Sequence, residues 1–216
     1  MLRALTHLIR DIGETLIGKP AAPLDVFEDM EQQFRLLGRQ GLVAMSLAGI
    51  DLALWDVQGL SQNQPVATLL GASPRAIRCY DSLGVFQAGR DEAMIERSLD
   101  KGFSALKVKL AGGSAGSDVA DLRALRRIVG PDTELMIDYN QSLTAPDAIR
   151  RIRTFEDAGI DLTWIEEPVS AEDFAGHKAI RAAVSTPIQT GENWWLPQDA
   201  ARALQAGICD EAMLDM

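Results

Sequence analysis

Lys107 and Lys109 stand two residues apart in Ala105-Leu106-Lys107-Val108-Lys109-Leu110, a run that is otherwise apolar. A strand alternates its side chains between two faces, so the two ammonium groups share one face while Leu106, Val108 and Leu110 take the other. At about 6 Å and an effective dielectric of about 20, two such charges repel by on the order of 3 kcal/mol. That repulsion is enough to draw one amine well below its ordinary value of about 10.4 and let it act as a base near neutral pH. On a solvent-facing strand the same pair would be only a polar sheet edge.

Four acids follow at regular intervals. Asp138 closes Leu135-Met136-Ile137-Asp138, Glu166 closes Trp164-Ile165-Glu166, Glu192 follows Gln189-Thr190-Gly191, and Asp215 closes Met213-Leu214-Asp215. The intervals of 28, 26 and 23 residues are each one strand and one helix long. Singly, each has an ordinary role open to it: an Asx-turn for Asp138, a helix start for Glu166 and Glu167 ahead of Pro168, a surface loop for Glu192. Gathered at one rim they repel one another unless a cation offsets them. Three of them, as hard oxygen donors from neighbouring strands, suit Mg²⁺, with water or substrate completing the octahedron. A divalent cation beside a tuned lysine suits removal of the proton α to a carboxylate. Schiff-base chemistry on a keto substrate, as in an aldolase, is the other use of a strand lysine.

A shared rim requires parallel strands, and the second part of the chain supplies the pattern. Helices near 91–101, 117–129, 145–158, 173–184 and 198–206 alternate with strands at 104–110, 134–138, 162–166, 188–190 and 212–215, after a short strand-like run over 77–80. The alternation implies a parallel sheet. No glycine-rich phosphate loop follows the first strand, which disfavours a nucleotide-binding sheet. A (β/α) barrel keeps its chemistry at the C-terminal ends of its strands, and a full one has eight strands in about 250 residues. The expectation is therefore α/β, a partial TIM-type barrel of about six strands over 75–216. Residues 1 to about 70 read as wholly helical, with a third helix near 41–57 apolar enough to be packed on several sides. Asp51 and Asp56 within it are expected as hydrogen-bonded structural groups, and His177 as an exposed or capping residue of the helix near 173–184.

Composition bounds the partners. Among 216 residues, 47% are hydrophobic and the net charge is −10, which fits a globular core and argues against nucleic acid. Only Cys79 and Cys209 occur, without metal-finger or disulfide spacing, as expected in a reducing cytosol. No transmembrane segment or secretory signal is expected.

The motifs Lys107-Val108-Lys109, Met136 to Leu143 (MIDYNQSL), Trp164-Ile165-Glu166-Glu167-Pro168, Gly191-Glu192-Asn193-Trp194 and the helix Ala48 to Asp56 (AGIDLALWD) resemble the mandelate racemase group of the enolase superfamily. The pairing of a Lys or His base with Mg²⁺ in that superfamily is itself a general precedent. The resemblance implies that Asp138, Glu166 and Glu192 bind Mg²⁺, that Lys109 is the base, and that Lys107 tunes it and contacts the substrate carboxylate. It places Asn140 and Ser82 near bound substrate, and gives Asp215 the part of orienting a histidine on the next strand. Glutamate at 192, followed by Asn193, favours this group over the muconate cycloisomerases. Residues 1–74 become the helical part of an N-terminal capping domain. The implied function is racemisation of a small 2-hydroxy acid, with acid-sugar dehydration as the alternative and association of copies as an expectation. The family's histidine base and a further glutamate belong on seventh and eighth strands, so the chain reads as a member shortened at both ends. An inactive fragment is the corresponding non-enzymatic reading.

Overall fold

The computed structural model describes residues 2–110 and 113–214. It divides into two compact units, Met1–Ile77 and Arg78–Met216.

The first unit is helical: α1 (Leu2–Leu16), α2 (Pro23–Phe34), α3 (Leu42–Gln62) and the single turn α4 (Val66–Leu69). Pro23 opens α2, where its missing N–H costs nothing. Asn63 closes α3 in the left-handed conformation. Ile12, Val26, Met30, Phe34, Leu47 and Ile50 form the core. Among the described residues, α3 is the helix long and apolar enough to cross a membrane, yet it sends Leu47 and Ile50 into this core. Packing on several sides is not what the structure shows: Leu52 and Leu60 on α3 are exposed. Asp56 is exposed too, while Asp51 is half-buried with its carboxyl raised by burial. Neither acid makes a side-chain hydrogen bond among the described residues.

The second unit alternates β1 (Asp81–Phe86), α5 (Glu92–Asp100), β2 (Ala105–Leu110), α6 (Ala115–Val129), β3 (Glu134–Asp138), α7 (Ala145–Asp157), β4 (Trp164–Glu166), α8 (Phe174–Ala183), β5 (Ile188–Thr190), α9 (Pro197–Ala206) and β6 (Glu211–Ala212). The six strands are parallel and lie in sequence order, the arrangement of a partial (β/α) barrel. The first strand forms at 81–86 rather than 77–80, because Asp81 is where pairing with Leu106 of β2 begins; Ile77 is left exposed. Ser114, Thr144 and Asp173 cap α6, α7 and α8 by accepting from backbone N–H groups of their first turns.

Period-2 alternation decides what each strand shows to each side. Leu106, Val108, Leu135, Ile137, Ile165 and Ile188 face the helices and pack with Leu122, Leu125, Ile152, Phe155 and Ile180. The opposite face carries Lys107, Lys109, Asp138, Glu166 and Gln189. Register sets the last four side by side: Lys109 pairs with Asp138, Asp138 with Glu166, and Glu166 with Gln189.

Candidate active site

That register builds the site. One oxygen from each of Asp138, Glu166 and Glu192 lies within 4.8 Å of the others. Lys107 Nζ donates to Glu166 Oε2, and Lys109 Nζ lies 3.4 Å from Asp138 Oδ2 while donating to Asn140 Oδ1. Asn140 returns two bonds to Asp138, from its backbone N–H to Oδ1 at 2.7 Å and from Nδ2 to Oδ2 at 2.9 Å. Six of the residues named from the sequence, Lys107, Lys109, Asp138, Asn140, Glu166 and Glu192, are thus in one cluster. Ser82 sits opposite Lys107 in the β1–β2 ladder but is exposed and makes no hydrogen bond to the cluster among the described residues. Asp215 lies outside the described residues.

The electrostatics differ from a pair of lysines repelling one another. Each ammonium faces a carboxylate instead. Burial alone would lower Lys107, but Glu166, the Tyr80 side chain and Asp138 outweigh it and hold the amine above its ordinary value; the Tyr80 ring centroid is 5.5 Å from Nζ. Glu166 is raised, first by burial and then by Asp138 and Glu192, although Lys107 pulls the other way. With Glu167 included, four carboxylates face two ammonium groups, a formal excess of two negative charges. Glu166 Oε1 is buried with no hydrogen-bond partner among the described residues. An orphaned buried oxygen beside two further carboxylate oxygens and an excess charge of two suits a hard divalent cation.

Glu167 has a part that the sequence did not reveal. It is fully buried, and its Oε2 accepts from Asn193 Nδ2 at 2.6 Å, which also reaches Glu192 Oε1 at 3.4 Å. Burial first, and Glu192 with it, raise its carboxyl against the pull of Asn193 and Gln141. Glu167, Asn140 and Gln141 all have positive φ, at 36°, 43° and 62°, a conformation that costs a non-glycine residue about 1–2 kcal/mol. Cross-loop bonds hold them there: Gln141 N–H donates to Glu167 O at 2.7 Å, and Ala171 N–H to Gln141 Oε1 at 2.9 Å. A glutamate before proline carries no sequence mark of such a role, whereas Asn193 beside Glu192 was a cue.

His177 corrects an expectation. It is fully buried, not exposed. Neither ring nitrogen makes a hydrogen bond of normal geometry, although the backbone of Val169 and Ser170 lies close, and burial holds the imidazole below its ordinary value. It belongs to the face of α8 that carries Ile180 into the core.

Comparison with known proteins bears on this geometry. Residues 2–71 match the mandelate racemase / muconate lactonizing enzyme N-terminal domain, and residues 90–216 the enolase C-terminal domain-like family. The chain therefore belongs to the enolase superfamily, in its mandelate racemase group. It is 32% identical over 187 residues to the L-talarate/galactarate dehydratase of Salmonella typhimurium, covering 85% of this chain and 46% of that protein. It is likewise 32% identical over 211 residues to the D-galactarolactone cycloisomerase of Agrobacterium fabrum, covering 93% and 54%. An enolase from Bradyrhizobium, complexed with magnesium and mandelic acid, superposes with a TM-score of 0.92 at 47% identity, over 99% of this chain and 59% of that one. The chain spans about half the length of the curated relatives it matches.

Proposed function

We propose that this chain carries the metal- and base-bearing part of an enzyme that removes the proton α to a carboxylate of a 2-hydroxy acid. The observation that carries the reading is the cluster of Asp138, Glu166 and Glu192 oxygens beside the Lys107 and Lys109 amines. Mg²⁺ is the cation proposed for the three carboxylates, and when bound it supplies positive charge that stabilises the charge developing on the substrate carboxylate. Lys109, in its neutral amine form, takes the α-proton on Nζ and becomes the ammonium. Its partial exposure leaves it open to a substrate, whereas Lys107 is buried and holds Glu166 oriented. Asn140 fixes both Lys109 and Asp138. Ser82 and Asp215 keep the parts that the family resemblance gives them, as substrate contact and orienting acid.

Racemisation of a mandelate-like acid is the favoured reaction, supported by the 47% identical neighbour that binds magnesium and mandelic acid. Dehydration of an acid sugar is the second reading, supported by the L-talarate/galactarate dehydratase. Proton exchange in D₂O, followed by NMR with Mg²⁺ and each mandelate enantiomer or with galactarate, tests both. The expected result is α-deuteration of one mandelate enantiomer that disappears in Lys109→Met while Mg²⁺ uptake persists. Exchange that continues in Lys109→Met, or that needs no divalent ion, overturns the assignment. Trapping of a keto substrate by borohydride would favour the Schiff-base alternative.

A further inference from the structure

Just past the end of β3, three side chains from this strand end, α6 and α7 close an ionic cluster that the chemistry above does not use. Tyr139, 4% exposed, donates its hydroxyl to Asp118 Oδ2 at 3.0 Å. The same oxygen accepts from Arg151 Nη1, and Arg151 Nη2 donates to the carbonyl of Gly113 at 2.6 Å. Asp118 lies in the first turn of α6 and Arg151 on α7.

One end of the cluster leads directly to the proposed site. Tyr139 is the residue after Asp138. Successive strand residues face opposite ways, so a twist that freed the Tyr139 ring would swing the Asp138 carboxylate. Such a twist has a driving force close by, because Asn140 and Gln141 hold positive φ immediately after the strand. A buried ion pair is a poor stabiliser compared with apolar packing of the same volume. Its value lies in fixed geometry, and the two arms of Arg151 fix the guanidinium plane.

We propose that Asp118, Tyr139 and Arg151 form a positioning clamp that sets Asp138 for the divalent cation. The proposal rests on the reading of Asp138 as a metal ligand. Isothermal titration of the full chain with Mg²⁺, beside thermal melting, tests it in Tyr139→Phe, Asp118→Asn and Arg151→Lys. Tyr139→Phe keeps the ring and the Asp118–Arg151 pair, so it should fold and bind Mg²⁺ about ten-fold more weakly, the scale of lost outer-sphere support. Asp118→Asn should do at least as much harm, and Arg151→Lys, which keeps the charge but loses the second arm, should fall between it and the parent. Folded variants that bind Mg²⁺ within about two-fold of the parent overturn the clamp. Loss of binding that only follows loss of the folded transition assigns the cluster to folding and overturns it as well. A parent chain that takes up no Mg²⁺ overturns the functional reading, and the clamp with it.

Discussion

At the scale of single residues, the pairing of Lys107 with Glu166 decides most. Both side chains are buried, at 7% and 0% exposure, so removing the Lys107 charge leaves the Glu166 carboxylate without its partner, a change that costs about 3–5 kcal/mol. Lys107→Met should therefore destabilise the metal-free protein by about 3 kcal/mol, because it leaves Glu166 buried beside Asp138 and Glu192 with nothing to offset it. Adding Glu166→Gln should recover most of the stability while abolishing Mg²⁺ uptake. Urea unfolding of the two variants in chelator separates the effects. If the single variant were as stable as the parent, the ion pair would carry no weight in the fold.

At the scale of elements, the C-terminal ends of the short strands do the positioning. Gly191 follows β5 at φ +142°, and a Cβ there would overlap the backbone carbonyl of Met213, just beyond β6. The close approach follows from strand pairing, since Met213 N–H donates to Thr190 O at 3.1 Å. Gly191→Ala must push the two strand ends apart or reorient the peptide that carries Glu192. A stability loss of about 3 kcal/mol and at least about ten-fold weaker Mg²⁺ binding are expected. Thermal melting and calorimetric titration check this, and unchanged values for both would show that the strand ends yield freely.

The same scale shows what was legible from the sequence. Period 2 at Lys107 and Lys109, and one acid per strand at Asp138, Glu166 and Glu192, foretold the grouping of these side chains because strand geometry translates spacing directly into a shared face. Three features were not legible. The lysines neutralise carboxylates rather than repel each other, which depends on register between β2 and β4 through β3. Glu167 and Gln141 act through backbone conformations that non-glycine residues rarely adopt. Tyr139 did carry a signal, since a tyrosine between two site residues must point into the core and needs a partner for its hydroxyl, but nothing in the spacing identified Asp118 or Arg151 as that partner.

At the scale of the molecule, the two units and the net charge of −10 bear on metal dependence. All three proposed ligands lie in the unit Arg78–Met216, as do Trp164, Trp194 and Trp195, while only Trp55 lies in the helical unit. A ligand that binds only the folded state stabilises it by about 2.7 kcal/mol at a hundred times its dissociation constant. For a domain of this size each kcal/mol moves the midpoint by about 2–4 °C, so saturating Mg²⁺ should raise the tryptophan-reported transition by about 5–10 °C. Chelator should reverse the shift. Na⁺ at matched ionic strength screens the surface acids equally but does not fill the cluster, so it should give only a small part of the effect. A Mg²⁺ shift that Na⁺ reproduces would mean that general charge screening, and not a bound dication at Asp138, Glu166 and Glu192, steadies this unit.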